Sequence, residues 1–304
     1  MQTPSNEPSG VIIIDKASGM TSHDVVGKIR KLYNTKKVGH TGTLDPLATG
    51  VLVVLVGRAA KAAEYLVSDD KRYLAGLRLG LETDTEDISG TVLKTSDELP
   101  DEAEVMAAVA DFIGDISQTP PMYSALKVNG QKLVDLARRG ITLERESREI
   151  HIDSIEAKRL NRAEYTINVE CSKGTYIRTL CADIGKRLGC GAVMSSLRRE
   201  RSGNFTLEGA YTLDALGARD YDARIAALLP TESLFNDCPS VGLIPFYEKL
   251  CRNGAEIYQK KIHTDFEAGT RVRICGENGF FALGEVRKYP DGSAIKAIKL
   301  FELA

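Results

Sequence analysis

The sequence predicts an α+β protein, with a mixed sheet in a large first domain and a small β-rich domain at the C-terminal end. Over residues 1–235, segments with the two-residue alternation of strands are interspersed with segments that have the spacing of helices. Over residues 236–304, strand-like segments follow one another with glycine-rich turns between them. No unit of about 20 to 50 residues recurs, which argues against a repeat protein.

The first elements flank a glycine-rich loop. A β-branched strand leads into a turn, after which either Thr21 or Ser22 could cap a helix that carries an apolar stripe. Beyond the loop, a wholly apolar segment is typical of a buried strand. In chain order we predict a strand at 11–14, a helix with Val25, Val26, Ile29 and Leu32 on its stripe, the loop 39–50, a strand at 51–56 and a helix near 59–66.

Strands and helices continue to alternate after this point. Residues 72–79 alternate as in a strand that begins near Tyr73, and an acidic loop follows at 82–87. The pair Pro120-Pro121 and a short basic helix stopped by Gly140 predict a projecting insertion at about 118–147. The remaining predicted elements are helices at 102–113, 132–139 and 176–188, and strands at 148–155, 165–171, 192–199, 270–275, 280–286 and 293–300.

The overall charge gives no support for nucleic-acid binding, because the formal net charge is -2. Two local clusters of basic residues change this expectation. Residues 28–37 contain lysines and arginines without an acid, and a second basic cluster lies between 178 and 201. Either cluster could face phosphate groups, although a solvated helix face would show the same pattern.

Cysteines and apolar segments exclude other classes of protein. The six cysteines lie far apart, with neither C-x-x-C pairs nor neighbouring histidines, so we expect reduced thiols and no metal site. The longest uninterrupted apolar run, 51–56, is too short to span a bilayer, and the first ten residues have no signal-peptide core. We therefore expect a cytoplasmic protein that does not enter a membrane.

The loop 39–50 is suited to present a single acid. It combines three glycines, one proline, His40 and Asp45 between two hydrophobic elements. By itself, an aspartate before proline is more often a turn former or helix cap than a catalyst. The glycines match neither of the common nucleotide-binding patterns, and no nucleophile pattern accompanies His40. That histidine could be a general base, a phosphate contact or a hydrogen-bonded loop residue.

With its flanks, this loop resembles the catalytic motif of the bacterial TruB family of tRNA pseudouridine synthases. Further motifs of that family occur in order between residues 11 and 210, and such an ordered set is far more specific than any single motif. The sequence departs from the family pattern at two positions. Ala17 stands where the family usually has proline, which affects the stiffness of the loop, and Val134 stands where it often has tyrosine, which affects one RNA contact. The matching segments are 15–22, 39–50, 71–73 with 80–87, 119–125 with Lys127, Gly130, Ala137 and Arg138, 174–180 and 197–199.

The resemblance implies a mixed-sheet pseudouridine synthase catalytic domain over 1–235, with an RNA-gripping insertion, and a weaker match of 236–304 to a small PUA-like domain. It implies that the uridine at position 55, in the T loop of tRNA, is flipped out and isomerised to pseudouridine. The N1–C1' bond breaks and C5 joins C1', which requires no cofactor because nothing is oxidised or transferred. The expected partner is the T-stem-loop of tRNA, bound by a monomer without an obligatory protein partner.

Three residues are implied to be catalytic. Asp45 would act at the sugar, either by attacking C1' or by helping to form a glycal. Arg178 would hold that carboxylate ionised as a bidentate partner, and Tyr73 would stack on the uracil with its hydroxyl near C5. Substrate-binding roles are implied for His40, Tyr176, Leu197 and Lys16. Contacts to the RNA backbone are expected from Lys36, Lys37, Lys127, Arg138, Arg198 and Arg199.

Two other functions remain open at this level. A nucleoside or glycoside hydrolase would also use a carboxylate near an anomeric carbon, but such enzymes usually need paired acids, and no second acid is similarly placed in the sequence. A tRNA-folding chaperone could use the same groove, and that role could coexist with catalysis.

Overall fold

The structure, a computed structural model, describes residues 7–66, 70–124, 126–128 and 130–301. Within these ranges the strands are β1 (Gly10–Lys16), β2 (Val38–His40), β3 (Thr49–Val56), β4 (Lys71–Leu79), β5 (Leu81–Thr83), β6 (Val92–Thr95), β7 (Gly114–Gln118), β8 (Lys127–Val128), β9 (Gln131–Lys132), β10 (Arg148–Arg159), β11 (Glu164–Cys171), β12 (Ala192–Ser202), β13 (Phe205–Thr206), β14 (Ser240–Gly242), β15 (Ile257–Tyr258), β16 (Arg271–Gly276), β17 (Gly279–Tyr289) and β18 (Gly292–Leu300). The α-helices of the same ranges are α1 (Ser22–Leu32), α2 (Glu102–Ala110), α3 (Leu133–Ala137), α4 (Ile177–Leu188), α5 (Leu213–Gly217), α6 (Tyr221–Ala226) and α7 (Pro245–Arg252). No helix of this described part is long and apolar enough to cross a membrane.

A mixed sheet forms the centre of the large domain. Its strands lie in the order β1-β3-β12-β4-β11-β10-β7, and only the β3–β12 neighbours in this order are parallel among the described strands. In the register of the three central strands, Arg199 on β12 lies opposite Gly50 on one side and Tyr73 on the other. The sheet thereby brings the end of the glycine-rich loop next to the start of β4.

The pattern of strands predicted from alternation is confirmed. Tyr73, Ala75 and Leu77 are buried on one face of β4, and the predicted strands at 148–155 and 165–171 pair as β10 and β11. The helix expected near 59–66 is a 3-10 helix, Gly57–Tyr65. The helices expected at 102–113 and 132–139 are shorter than predicted, as the bounds of α2 and α3 show.

The start of α1 settles which residue caps it. Thr21 accepts the backbone N–H of Asp24, whose carboxylate accepts the backbone N–H of Thr21 in return at 2.8 Å, so the two residues form a capping box. Ser22 is buried and makes a different contact. Its Oγ accepts the N–H of Leu44 at 2.8 Å and lies 3.1 Å from the Leu44 carbonyl oxygen. Helix α1 is therefore joined directly to the glycine-rich loop.

The C-terminal part is β-rich, as predicted, with its strands in the order β14-β16-β17-β18-β15. It packs on the large domain through an apolar cluster in which Phe235, Phe280 and Phe301 surround Ala62 of the 3-10 helix. Arg271 also donates a hydrogen bond to the carbonyl oxygen of Tyr65 at 2.8 Å. Because Phe235 belongs to this cluster and β14 follows it, we propose a domain boundary near residue 236.

Candidate active site

A cavity of about 710 Å³ opens where the glycine-rich loop, the start of β4, the N-terminal end of α4 and the middle of β12 meet. Five residues that the sequence assigned to the site line it together: Asp45, Tyr73, Tyr176, Arg178 and Leu197. These residues come from four separate segments of the chain. Their convergence identifies this cavity as the candidate active site.

Asp45 and Arg178 form the central ion pair of the cavity. Arg178 donates its Nε–H to Asp45 Oδ2 at 2.9 Å, and the arginine side chain is 5% exposed whereas that of Asp45 is 36% exposed. The two remaining nitrogens of Arg178 donate to the carbonyl oxygens of Thr85, at 3.0 Å, and Tyr123, at 2.8 Å. The pair is thus joined by a single hydrogen bond and not by the bidentate contact expected from the sequence. Arg178 instead links three segments, and the carboxylate keeps an open side toward the cavity.

A second carboxylate, Asp87, lies near Arg178 and was missed by the sequence analysis. Its Oδ2 is 3.9 Å from Arg178 Nε, and its Oδ1 accepts the hydroxyl of Thr85 and the backbone N–H of Ser89, both at 2.9 Å. Asp87 is buried and does not line the cavity. The only sequence signal for it was its place at the end of the acidic 80–87 stretch.

Lys16 is a buried residue that contacts the glycine-rich loop from the protein interior. It has no exposed surface, and its Nζ donates to the carbonyl oxygens of Ala17 at 2.9 Å, Met20 at 2.7 Å and Pro46 at 3.4 Å. Burial lowers the pKa of Lys16 to about 8, against the opposing charge of Asp45. Lys16 does not line the cavity, so the structure corrects the substrate-binding role expected for it. It ties the turn that contains Ala17 and Met20 to Pro46, the residue that follows Asp45.

Arg199 also holds the loop. The residue is 1% exposed, and its guanidinium donates to the carbonyl oxygens of Val51 at 2.7 Å, Gly42 at 3.2 Å and Thr43 at 3.4 Å. A buried side chain with these partners is not positioned as the surface phosphate contact that the sequence predicted, and we correct that expectation. Its backbone passes so close to Gly50, where φ is +99°, that a Cβ there would lie 2.2 Å from the Arg199 carbonyl oxygen.

Aromatic and apolar side chains line the rest of the cavity. Tyr73 is 6% exposed, and burial raises the pKa of its hydroxyl, although the nearby Arg199 guanidinium opposes this effect. Burial also raises the pKa of Tyr176, which stands at the N-terminal end of α4. Leu197 completes an apolar wall from β12. Both phenols are therefore protonated at neutral pH. Among the described lining residues, the cavity offers flat faces beside one carboxylate, that of Asp45.

His40 lies at the edge of the site but not on its surface. Its ring packs against His23 in an edge-to-face arrangement with 6.1 Å between centroids, and His23 rather than His40 lines the cavity. Within the described residues the buried Nδ1 of His40 has no hydrogen-bond partner. Burial lowers the pKa of His40, with smaller contributions from His23 and Arg199. No motif in the sequence pointed to His23.

The residues expected at the RNA backbone do not form one continuous set. Arg138, on the insertion, lines the candidate active site, whereas Lys36 and Lys37 line a second cavity of about 500 Å³ near the 3-10 helix. Lys37 is paired with Glu7 at 2.7 Å, and Arg198 donates to Asp15 at 2.9 Å. The side chain of Lys127 lies outside the described residues.

The fold is that of a pseudouridine synthase. A chain in the crystal structure of a Cbf5-Nop10-Gar1 complex superposes with a TM-score of 0.73 and 30% sequence identity, over 96% of this chain and 84% of that chain. A chain in the structure of an H/ACA RNP bound to a substrate RNA containing 2'-deoxyuridine gives the same TM-score with 27% identity, over 97% of this chain and 85% of that one. The overall fold and the cavity therefore both indicate the same class of protein, the pseudouridine synthases.

Family comparisons narrow this class. Residues 30–177 match the N-terminal domain of the TruB family of pseudouridylate synthases, and residues 178–236 match the tRNA pseudouridylate synthase B C-terminal domain. The tRNA pseudouridine synthase B of Clostridium tetani is 40% identical over 96% of this chain and 99% of its own length, and that of Francisella tularensis is 45% identical over 92% of each. The chain belongs to the TruB family, and it is a tRNA pseudouridine synthase, an isomerase.

Proposed function

We propose that the enzyme isomerises the uridine at position 55, in the T loop of tRNA, and that Asp45 is the essential carboxylate. The observation that carries this proposal is the placement of Asp45. It is the acid of the glycine-rich loop, it is held by Arg178 at 2.9 Å, and it still faces a cavity of a size typical of small-molecule sites. The names of the tRNA-modifying relatives support the substrate class.

Base flipping is part of the proposal, and the residues that line the cavity support it. A uridine within a folded RNA cannot present its C1' and C5 atoms to a carboxylate unless it leaves its stack, and flipping costs a few kcal/mol. The faces of Tyr73 and Tyr176 and the side chain of Leu197 can take the place of the neighbouring bases in that stack. Arg138 of the insertion also lines the cavity, and its guanidinium could contact a phosphate that flanks the flipped nucleotide.

The proposed chemistry conserves all atoms of the nucleotide. The N1–C1' bond breaks, the detached uracil turns within the cavity, and C5 joins C1'; the hydrogen then leaves C5 while N1 gains one. Asp45 assists at the sugar, either by bonding to C1' or by removing a proton to give a glycal, and both routes fit its open side. The raised pKa keeps the Tyr73 hydroxyl protonated. The hydroxyl can therefore accept the proton from C5 only if it gives up its own proton at the same time.

Hydrolysis is the competing reaction at the same bond. Enzymes of that kind usually place two acids on the substrate. Here the second carboxylate, Asp87, is buried behind Arg178 and does not line the cavity, which favours isomerisation.

The experiment that tests the proposal uses tRNA transcripts incubated with the purified enzyme and no added cofactor. We expect pseudouridine at position 55, release of tritium from transcripts labelled at uridine C5, and an unchanged mass of unlabelled transcripts. A transcript with cytidine at position 55 serves as the control and should release no tritium. Free uracil among the products would support a hydrolase, and pseudouridine only at other positions would contradict the T-loop assignment.

A further inference from the structure

Gln118 is the last residue of β7, and its side chain reaches across to the start of helix α4. The side-chain carbonyl oxygen of Gln118 accepts the backbone N–H of Tyr176 at 2.8 Å, and its Nε2 donates to the backbone carbonyl oxygen of the same residue at 3.1 Å. Gln118 is 2% exposed, so these bonds are shielded from water. One side chain thus satisfies both backbone groups of Tyr176.

Tyr176 needs this support because of its place in the helix. It is the N-cap residue of α4, and its side chain makes no capping hydrogen bond. Its carbonyl oxygen also accepts the first helical N–H, from Leu180 at 3.0 Å. The Gln118 amide therefore fixes the position and direction of the first turn of α4. That turn carries the phenol of Tyr176 into the cavity and, two residues later, presents Arg178 to Asp45.

Gln118 is also where the insertion leaves the sheet. On β7 it pairs with Arg148 of β10, and the next residue, Thr119, is hydrogen-bonded to Ser147 at 2.8 Å across the base of the insertion. The amide therefore connects the root of the insertion to the turn that holds Arg178.

We propose that Gln118 is a positioning residue for the isomerisation, which sets the placement of Arg178 and Tyr176 through the backbone of Tyr176. This inference rests on the proposed function, in which Arg178 holds the carboxylate of Asp45. A neutral amide is required because it donates and accepts on adjacent atoms. A carboxylate keeps the acceptor but faces the Tyr176 carbonyl without a donor, whereas a protonated carboxyl group has the donor again. A displacement of about 1 Å in a catalytic group costs up to about 100-fold in rate.

The test compares Gln118→Leu and Gln118→Glu with a matched control elsewhere in the chain. Gln259, also 2% exposed, makes the same reciprocal contact to Phe266 in the C-terminal domain, accepting its N–H at 2.8 Å and donating to its carbonyl oxygen at 3.0 Å. Gln259→Glu therefore imposes the same chemical change far from the cavity. Single-turnover rates with saturating enzyme, tRNA affinities and melting temperatures are measured for each variant between pH 5.5 and 8.5.

We expect Gln118→Leu to lower the single-turnover rate at least about tenfold, which corresponds to an increase of about 1.4 kcal/mol in the activation barrier. The affinity of this variant for tRNA should stay within about threefold of wild type. For Gln118→Glu, the rate relative to wild type should recover as the pH falls and the new carboxyl group gains its proton. Gln259→Glu should keep the wild-type rate at every pH.

Three results would overturn the proposal. They are Gln118 variants within twofold of the wild-type rate, equal losses from Gln118→Glu and Gln259→Glu, and a Gln118 variant that unfolds at the assay temperature where Gln259→Glu stays folded. The last result would show that the amide serves the fold and not the site. If Asp45→Asn retains activity, the proposed function fails instead, and that outcome is distinct because it does not involve Gln118.

Discussion

The Nε of Arg178 lies 2.9 Å from Oδ2 of Asp45 although 133 positions separate the two residues, and the same guanidinium donates to the carbonyl oxygens of Thr85 and Tyr123. One buried cation therefore joins the glycine-rich loop that carries Asp45, the acidic loop after β4 and the insertion. The active site is assembled around this single side chain.

Arg178→Lys should lower the rate of pseudouridine formation by at least about 100-fold. An ammonium group has neither the reach nor the planar geometry to donate to three acceptors that lie in fixed directions. The control is Arg187→Lys on the same helix, where the arginine is exposed and pairs with Asp111 at 2.8 Å. Single-turnover assays should separate the two variants. A rate for Arg178→Lys close to that of Arg187→Lys would refute the positioning of Asp45 by this guanidinium.

Tyr73→Phe should bind tRNA with unchanged affinity but form pseudouridine slowly. The substitution keeps the ring that faces the cavity and removes the hydroxyl, whose pKa burial raises and which is therefore protonated in the resting enzyme. Tyr73→Leu should lose affinity as well, because it also removes the flat face. Tyr165→Phe, at a buried tyrosine on β11, serves as the control. Equal rate losses from Phe and Leu at position 73 would mean that the hydroxyl has no part in proton transfer.

Much of the fold could be predicted because local chemistry determines it. Alternation along β4 and the apolar segment of β3 follow from burial of one or both strand faces. The sequence narrowed the cap of α1 only to Thr21 or Ser22, and the reciprocal hydrogen bonds with Asp24 in the folded helix select Thr21. The 3-10 form of Gly57–Tyr65 could not be predicted, since spacing of apolar residues does not distinguish the two helix types over so short a segment.

The site was less predictable from single residues. The resemblance implied that Lys16 binds substrate, and the second basic cluster suggested that Arg199 contacts RNA phosphates. Both side chains are instead buried among backbone carbonyls that only the folded loop brings together. Gln118 gave no signal in the sequence, and Asp87 gave only its place at the end of the acidic 80–87 stretch. Asp45 and Arg178 could be paired in advance only through the resemblance to a known family.

The burial of Lys16 predicts a pH dependence of stability. Its pKa is about 8 in the folded protein and returns to its ordinary value near 10.5 on unfolding, so over that interval the unfolded chain binds more protons at this site. The free energy of unfolding of wild type relative to Lys16→Met should therefore rise as the pH increases from about 8 to 10. Urea denaturation at several pH values measures this difference. Lys61→Met, at an exposed lysine, should give a constant difference, and a constant difference for Lys16→Met would contradict the burial of an ammonium group there.

Binding of tRNA should depend steeply on salt although the net charge is -2, because counterion release counts only the basic residues that touch phosphate. Reversing the charge of Lys36, Lys37 and Arg138 together should weaken affinity. It should also flatten the plot of log affinity against log salt, by about one unit for each phosphate that the variant no longer neutralises.

The control for this experiment lies on the C-terminal domain. Reversing Lys249, Lys260 and Lys288 there should flatten the plot much less. Deleting that domain would be a poorer control, since it would expose Phe235 and Ala62, which are buried against it. A larger effect from the C-terminal reversal would place the main RNA surface on that domain and refute the expected contacts.

Asp45→Asn tests the central claim most directly. Pseudouridine at position 55 is mapped in tRNA transcripts after single-turnover incubation with the variant, and tRNA affinity is measured in parallel. We expect no pseudouridine and an affinity within several-fold of wild type, because the carboxylate acts on the glycosidic bond while phosphate contacts supply most of the binding. Asp153→Asn, at a half-exposed carboxylate on β10, should keep full activity. Pseudouridine formed at position 55 by a clean preparation of Asp45→Asn would contradict the account.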